Sequence, residues 1–294
     1  MVACGRTFVA TLGLCGLAAA AAAQEKTFEQ TVEFVSGSRL QLQSDAGSVA
    51  LLPWDEERVE IQARIEPPPR ADDQDWARAA VDGTTVEVRG NRRSLRIRSD
   101  YSGVPRRGAG WRRGVPQVHY RIRVPRQVDL ELNLDRSDTT LEGLEGQLIF
   151  ELDRSDLTVS ELSGTTTIVL DRGTLEARDL AGVVALEIDR GDQLRLAGVS
   201  GSLDLDLDRT DATLTGVRLD ADSAVEIDRG DLTIELLAGQ SLSIDVRGTR
   251  RTRVEGGVRL QPGEDRGEFS GAIAGGGTRL DIEADRGVVR LDTN

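Results

Sequence analysis

The sequence has 294 residues, of which 30% are charged and 3% are aromatic, and its formal net charge is −13. Most of the excess negative charge lies in residues 127–294, which hold 35 acidic and 18 basic side chains. A net charge of −17 repels nucleic acid and anionic lipid at long range, so we expect no nucleic-acid partner.

Residues 1–23 have the pattern of a secretory signal peptide. Arg6 precedes an apolar stretch from Phe8 to Leu17, and six alanines follow. A basic start, an apolar segment and a small-residue exit predict cleavage before Gln24. The apolar segment is shorter than the roughly 20 residues that span a membrane. We therefore expect a mature chain in the periplasm, at the cell surface or outside the cell; lipidation at Cys15 remains the alternative.

Cysteine and histidine chemistry is scarce in the predicted mature chain. Cys4 and Cys15 both lie in the signal peptide, so neither a disulfide nor a thiol site is expected. His119 is the only histidine of the sequence. Zinc sites and Ser-His-Asp triads therefore lack the side chains they need.

Residues 24–126 alternate apolar and polar side chains in a way that predicts a β-meander. The predicted strands are "TFEQTVEF", "SRLQLQSD", "GSVALLPW" and "RVEIQARIE", because a period of two over such lengths is typical of half-buried strands. Pro67–Pro69 ends this run, a short helix is expected within 71–83, and the strands resume at "TTVEVRG" and "SLRIRSD". We expect this region to cap the rest of the chain.

An arginine-rich loop at 101–117, "YSGVPRRGAGWRRGVPQ", is the most distinctive predicted surface feature. Clustered cations around a tryptophan suit an anionic polymer, a lipid headgroup or the acidic half of the same chain. A loop that is merely solvated is the alternative. The candidate binding residues are Arg106, Arg107, Trp111, Arg112 and Arg113.

Residues 127–294 are predicted to be a repeat domain. An aspartate opens each repeat, at 135, 153, 171, 189, 208, 228, 245, 265 and 285, with spacings of 17 to 20 residues. Alternating strands such as "DLELNL", "QLIFEL" and "SLDLDL" lie between the aspartates. Self-similarity at this period is the signature of a repeat architecture.

The repeat predicts a right-handed, single-stranded β-helix, or β-solenoid, with rungs of about 18–20 residues. One strand–corner–strand unit cannot bury its apolar face alone, whereas stacked units bury a continuous ladder of Leu, Ile and Val. Right-handed coiling is expected because crossover connections between twisted parallel strands take that hand. The predicted organisation is thus a signal peptide (1–23), a cap (24–126) and a solenoid (127–294).

The repeated DR[GST] corner is interpreted as structural. Its aspartate is expected to accept the backbone N–H of the residue two positions later. Its third position is expected to require a small residue. Its arginine is expected to neutralise the stacked aspartates and to fix the register of the repeats. The predicted turn ladder comprises Asp135, Arg136, Asp153, Arg154, Asp171, Arg172, Asp189, Arg190, Asp208, Arg209, Asp228, Arg229, Asp265, Arg266, Asp285 and Arg286.

Three other interpretations of the corner stay open. Arg190–Asp192 and Arg229–Asp231 spell Arg-Gly-Asp, an adhesion signal for cell-surface receptors. Columns of carboxylates could hold calcium, although an arginine sits inside every pair. A polysaccharide lyase or hydrolase would need one place that breaks the repeat, and "DVRGTRRTRVEGG" at 245–257 is the best break. We expect no catalytic residues, no metal and no cofactor, with calcium as the exception to test.

Two stretches carry a family resemblance. "SGSRLQLQSDAGSVALLPWDEERVEI" (36–61) and "VHYRIRVPRQVDLELNLDRSD" (118–138) resemble exported bacterial β-solenoid proteins of the adhesin type. The resemblance covers most of 28–294 and implies a β-helical fold, an envelope or extracellular location and no catalytic activity. It therefore favours a non-enzymatic interaction module whose partner is a cell-envelope protein or an anionic glycan. This chain departs from the family by its DR[GST] corners.

Overall fold

The computed structural model describes residues 25–69, 71, 73–106, 114–265 and 267–294, so the predicted signal peptide lies outside the described part. Strands make up most of this part, and one α-helix interrupts them. The all-β prediction is confirmed. Among the described residues, no helix combines the length and the apolar character needed to cross a membrane.

The strands of the first third lie close to their predicted positions. The elements are β1 (Lys26–Glu33), β2 (Arg39–Ser44), β3 (Gly47–Trp54), β4 (Arg58–Glu66), α1 (Gln74–Gly83), β5 (Thr85–Asn91), β6 (Ser94–Asp100) and β7 (Gln117–Pro125). Helix α1 begins at the Asp73 N-cap, whose carboxylate accepts the backbone N–H groups of Asp75 and Trp76. An N-cap aspartate satisfies donors that a helix start leaves free.

The rest of the chain is built almost entirely of strands. They are β8 (Asp129–Asp135), β9 (Ser137–Glu142), β10 (Glu145–Asp153), β11 (Asp156–Asp208), β12 (Ala212–Leu219), β13 (Ser223–Arg229), β14 (Leu232–Leu236), β15 (Leu242–Gly248), β16 (Thr252–Glu255), β17 (Gln261–Pro262), β18 (Glu268–Ile273) and β19 (Thr278–Thr293). Strand β11 passes through several corners, which explains its length of 53 residues.

Parallel pairing at a step of 18 to 20 residues organises the strands from β8 to β14. Phe150 pairs with Leu132 on one side and with Ile168 on the other, each 18 positions away in the sequence. The step is also 18 between Leu196 and Leu214, and it is 20 between Leu205 and Val225. Among the described strands, five close into a ring of pairings in the order β11, β12, β14, β19 and β13, because β11 and β19 each turn a corner.

The main core is a column of mostly aliphatic side chains, and Trp76, Ala80 and Val104 form a second, small cluster beside helix α1. The alternating residues Leu132, Phe150 and Ile168 each have no solvent exposure, and the same cluster extends from Phe34 to Leu291. Each fully buried side chain of this kind contributes about 1.5–3 kcal/mol. The intervening polar residues point outward, as the period of two requires.

The amino-terminal strands join the parallel sheet directly. Strand β2 pairs with β8 and β3 pairs with β9, while β6 and β7 lie on the far sides of β2 and β3. Antiparallel strands β5 and β4 cover β6 and β7, and β1 covers β4. The sheet is therefore continuous across the boundary expected at 126/127, and only part of the predicted meander acts as a cap.

The carboxyl-terminal strand is out of sequence order. Strand β19 pairs in parallel with β13 and β14 on one side and with β15 and β16 on the other. Antiparallel β18 then covers β15. At Gly287 the contact is so close that an added Cβ would lie 1.8 Å from the backbone oxygen of Gly230. The repeats after residue 236 thus do not stack in the order that their spacing suggests.

The inserted position of β19 predicts slow hydrogen exchange at the carboxyl terminus. A terminal strand at an edge frays, whereas β19 has partners on both sides. We expect the amides of β19 to exchange within about tenfold of the rate of those in β13. Hydrogen–deuterium exchange followed by mass spectrometry measures both. Strand β1, which pairs only with β4, is the fast-exchanging reference; exchange of β19 as fast as that of β1 would contradict the inserted position.

Candidate functional site

The corner arginines adopt the left-handed backbone conformation. The φ angles are +48° at Arg136, +50° at Arg154, +68° at Arg172, +57° at Arg190 and +52° at Arg209. This conformation costs a residue with a Cβ roughly 1–2 kcal/mol. The sequence drew attention to the small third residue of the corner, but in these corners the arginine before it makes the left-handed turn.

Ion pairs connect successive corners into a ladder. Arg190 Nη2 lies 2.6 Å from Asp189 in its own repeat and 3.0 Å from Asp171 in the preceding repeat. The same double contact occurs at Arg154 with Asp153 and Asp135, at Arg209 with Asp208 and Asp189, and at Arg229 with Asp228 and Asp208. Positive and negative charges therefore alternate along this edge of the stack.

The ladder shifts the titration of its aspartates. The hydrogen bond from Arg172 lowers the pKa of Asp171, and the hydrogen bond from Arg209 lowers the pKa of Asp208. Each ion pair is exposed to solvent, so its individual contribution to stability is small. The ladder's main effect is on register, because a displaced repeat would bring like charges together.

Buried hydroxyl groups reinforce the same corners from inside. Ser155 Oγ donates to the backbone oxygen of Asp153 and accepts the backbone N–H of Ser137 from the preceding repeat. Thr210 Oγ1 makes the corresponding bonds to Asp208 and Gly191. In these corners the first aspartate binds arginine, and the hydroxyl of the third residue takes over the turn-closing role expected of that aspartate.

The fourth residue of the corner, an aspartate, binds backbone of the next stacked strand. Asp156 Oδ1 accepts the N–H of Thr174, and Asp231 Oδ1 accepts the N–H of Val288, both at 2.9 Å. Asp231 is the acid of one Arg-Gly-Asp tripeptide, and Arg229 of that tripeptide is ion-paired. Arg190 of the other tripeptide is ion-paired as well. These contacts occupy groups that a receptor would have to recognise.

The last predicted corners are distributed differently. Arg286 pairs in register with Arg229, so the Asp285–Arg286 corner follows the Asp228–Arg229 corner in the stack. Asp265 lies in the turn before the antiparallel strand β18, away from the ladder, and Arg266 is outside the described residues. Asp245 lies within β15 and is paired with Arg279 at 3.0 Å.

The structure describes one of the five predicted binding residues, Arg106. Arg107, Trp111, Arg112 and Arg113 lie outside the described residues. Arg106 lines a depression of about 390 Å³ together with Asp45, Arg98 and Tyr101. Burial, and next the charge of Asp135, raises the pKa of Asp45 in this depression. Burial likewise raises the pKa of the Tyr101 hydroxyl.

A groove that the sequence did not reveal lies on the outside of the sheet. It has a volume of about 510 Å³, and we call it the acidic groove after its carboxylates Glu187, Asp204, Asp206, Glu226, Asp281 and Glu283. Asp206 pairs in register with Glu226, which pairs with Glu283. Successive strands are about 4.8 Å apart, so these carboxylates repel one another.

Few cations offset the acidic groove. Arg247 pairs with Glu283, and Arg279 lies 3.0 Å from Asp281. Within the described part of the chain, Glu187, Asp204, Asp206 and Glu226 form no ion pair. Nor do the described residues contain a group of three or more Asp, Glu, His or Cys side chains arranged to hold a metal ion. The alternation in "SLDLDL" predicts that Asp204 and Asp206 point outward. The acids of β19 lie near them because β19 is inserted next to β13, which the alternation does not show.

The left-handed conformation at Arg190 predicts an unusual order of variant stabilities. Arg190→Gly and Arg190→Ala both remove the ion pairs, but only alanine keeps a Cβ at a φ of +57°. We expect the glycine variant to be more stable by about 0.5–1 kcal/mol, measured by urea denaturation. Arg195 lies in extended β11, so Arg195→Gly should be less stable than Arg195→Ala. The same order at both positions would contradict the role of the turn.

Acid should weaken the corner ladder. The pKa values of Asp171 and Asp208 are lowered in the folded chain, so their contribution is present above the unfolded pKa of about 4 and is lost as the pH falls through the folded values. We expect the urea midpoint to fall between about pH 5 and about pH 3, and to fall less in Asp171→Asn/Asp208→Asn. Equal declines in the two proteins would show that the ladder aspartates contribute nothing.

Comparison with known proteins adds little to this geometry. No family model matches the sequence, and no curated protein is significantly similar to it. A protein from Clostridium sporogenes ATCC 15579, provisionally described as a cell adhesion protein, has a crystal structure that aligns over 92% of this chain and 100% of its own. The sequence identity is 10% and the TM-score is 0.27. Backbones that superpose this poorly do not define a common fold, so the role of this chain is inferred from its own residues.

Proposed function

We propose that the chain is an exported, non-enzymatic interaction module of the adhesin type, built as a right-handed β-solenoid with rungs of 18–20 residues. In this proposal the antiparallel strands at the amino-terminal end cap the solenoid. The mature protein acts in the periplasm, at the cell surface or outside the cell. Its partner is an envelope protein or an anionic glycan.

The constant parallel register is the observation that carries the proposal. Asp153 pairs with Asp135 on one side and with Asp171 on the other, so equivalent outward side chains form columns along the stack. A rod with such columns presents repeated, nearly identical contact sites over a long surface, which suits the binding of extended partners. Catalysis requires instead one place where unlike groups converge.

The charge pairing at the break in the repeat also favours a non-enzymatic role. Asp245 and Arg247 lie in the segment 245–257, the break in the repeat where a polysaccharide lyase or hydrolase would have its site. Arg279 pairs with Asp245, and Glu283 pairs with Arg247, so each side chain is engaged with a neighbour in β19. Both contacts join β15 to the inserted strand, which gives these residues a structural role.

The amino-terminal end supports an anionic glycan as the partner. Arg89, Arg96 and Arg98 are exposed on the outer surface of β5 and β6, next to the strand ends that connect to the arginine-rich loop. Sulfate and carboxylate groups of a glycan are bound well by guanidinium groups, which offer paired donors.

A binding and cleavage assay tests the proposal. The purified mature chain would be incubated with acidic and neutral polysaccharides, with and without calcium. We expect retention on acidic polymers without new chain ends. Replacing Arg106, Arg107, Arg112 and Arg113 by glutamine should reduce retention at least about tenfold, since guanidinium contacts supply the attraction.

The assay separates the two functional classes. New chain ends that disappear in an Asp245→Asn variant would replace the interaction module with a lyase or hydrolase. The Arg121→Gln/Arg126→Gln variant removes cations outside the loop and is the matched control; equal loss of retention in both variants would refute specific binding by the loop.

A further inference from the structure

One broad outer surface of the sheet has opposite charges at its two ends. We call it the lateral face: the outward side of β5, β6, β2, β8, β10, β11, β13, β19 and β15, which are joined in this order by backbone pairing. Strand β11 contributes successive repeats to this face. Ion pairs from Arg190 to Asp171 and from Arg209 to Asp189 connect these repeats in chain order.

The amino-terminal end of the lateral face is basic. Arg89 pairs in register with Arg96, and both are exposed. Arg96 binds only a neutral group, Gln41, through hydrogen bonds of 2.9 and 3.0 Å. Arg98 lies 3.7 Å from Asp100, and Arg89 is paired with Glu87. The guanidinium of Arg96 thus forms no ion pair among the described residues; the nearby carboxylate of Glu131 is paired with Arg39.

The middle of the lateral face is partly apolar and carries one exposed carboxylate, Glu151, which accepts a hydrogen bond from Asn133. Ile149 pairs in register with Thr167, and one strand further on Ala185 occupies the equivalent outward position. Val183 is 49% exposed, and no other large hydrophobic side chain in the described part of the chain is as accessible to solvent. A charge-poor centre with polar ends is typical of protein–protein interfaces.

The carboxyl-terminal end of the lateral face is the acidic groove. Glu187, Asp204, Asp206 and Glu226 lie here without an ion pair among the described residues. Carboxylates on adjacent strands raise one another's electrostatic energy, and a cation placed between them would lower it. The groove is also concave, so long basic side chains can enter it.

We propose that the lateral face is a self-association surface that joins two copies of this chain about a two-fold axis. A two-fold interface places the same surface on both partners, with one end of each opposite the other end of its partner. The basic end of one copy therefore lies on the acidic groove of the other, and this contact occurs twice. The axis passes between Glu151 and Val169, next to Ile149 and Thr167.

The positions of the charges fit this symmetry. From Arg98 the outward column runs through Gln43, Asn133, Glu151 and Val169 to the acids Glu187, Asp206 and Glu226. Seven steps of about 4.8 Å separate Arg98 from Glu226, and the middle of that distance falls between Glu151 and Val169. An axis at this place brings Arg98 opposite Glu226 and Gln43 opposite Asp206.

The size of the lateral face is sufficient for a dimer. Its ten parallel strand segments, counted in the described residues, extend over about 40 Å, and six residues of each strand give a width of about 20 Å. The product is about 800 Å² per copy, which is the standard area of a specific interface. The overall negative charge of the chain opposes association, so the local contacts must exceed it.

Sedimentation velocity with two charge-reversal variants tests the proposal. The acid variant carries Asp206→Arg and Glu226→Arg, and the base variant carries Arg96→Glu and Arg98→Glu. All four side chains are exposed, so both variants should keep the fold, which circular dichroism verifies. The matched control, Asp138→Arg/Glu142→Arg, reverses two exposed acids of β9, outside the lateral face.

The expected result has three parts. The unsubstituted chain and the control are dimers at about 50 mM salt and dissociate more readily at about 500 mM salt. Each variant alone dissociates at least about tenfold more readily, because like charges now face each other. An equimolar mixture of the two variants forms a heterodimer, since each altered end then meets an opposite charge.

Three results would overturn the proposal: a monomeric unsubstituted chain up to about 100 µM at low salt, variants that dimerise normally, or a mixture that stays monomeric. Glycan retention is tested with substitutions in the arginine-rich loop, at Arg106, Arg107, Arg112 and Arg113, whereas the dimer is tested with substitutions at Arg96, Arg98, Asp206 and Glu226. The proposed function and the proposed dimer can therefore fail independently.

Discussion

Register is the constraint on which this structure depends. Side chains alternate between the two sides of every strand, so a slip of one residue would expose the whole aliphatic column and bury the charges. Three kinds of contact, distributed over the corners, oppose such a slip: ion pairs such as those of Arg190, hydroxyl bridges such as that of Ser155, and carboxylates such as that of Asp156 on the next backbone. Each contact is weak or moderate alone, and they act together because they recur at one step along the stack.

The inward and outward sides of the strands have different roles, which explains why this protein can carry so much charge. Inward positions such as Leu132, Phe150 and Ile168 supply the stability, so the outward positions are under little structural demand. The chain can then place arginines at one end of its lateral face and uncompensated carboxylates at the other. Unpaired like charges in the acidic groove are unfavourable in the isolated chain, and such an arrangement is relieved by a partner of opposite charge.

Strands were predictable from the sequence where one local period decided the outcome. The predicted segments 47–54 and 58–66 coincide with β3 and β4, since alternation and flanking turn residues specify both. The order of strands at the two ends was not predictable, because the spacing of repeats states only their order in the chain. The left-handed backbone conformation of the corner arginines was not predicted either, because in Asp-Arg-Ser the small serine looks like the residue that makes the turn. The acidic groove combines β11 and β13 with β19, which lie far apart in the sequence.

The inserted strand β19 makes the order of strands in the stack differ from their order in the chain. In a stack that grows in chain order, another repeat can be added at the end, and each new repeat docks on the one before it. Here β15 and β16 both pair in parallel with β19, which follows them in the chain, and β15 also pairs with antiparallel β18. The layer formed by β15 and β16 therefore docks on β13 and β14 only through β19, and contacts of such large sequence separation form late. Duplication of repeats could lengthen the middle of this protein, whereas a repeat added beyond β15 would have to displace antiparallel β18.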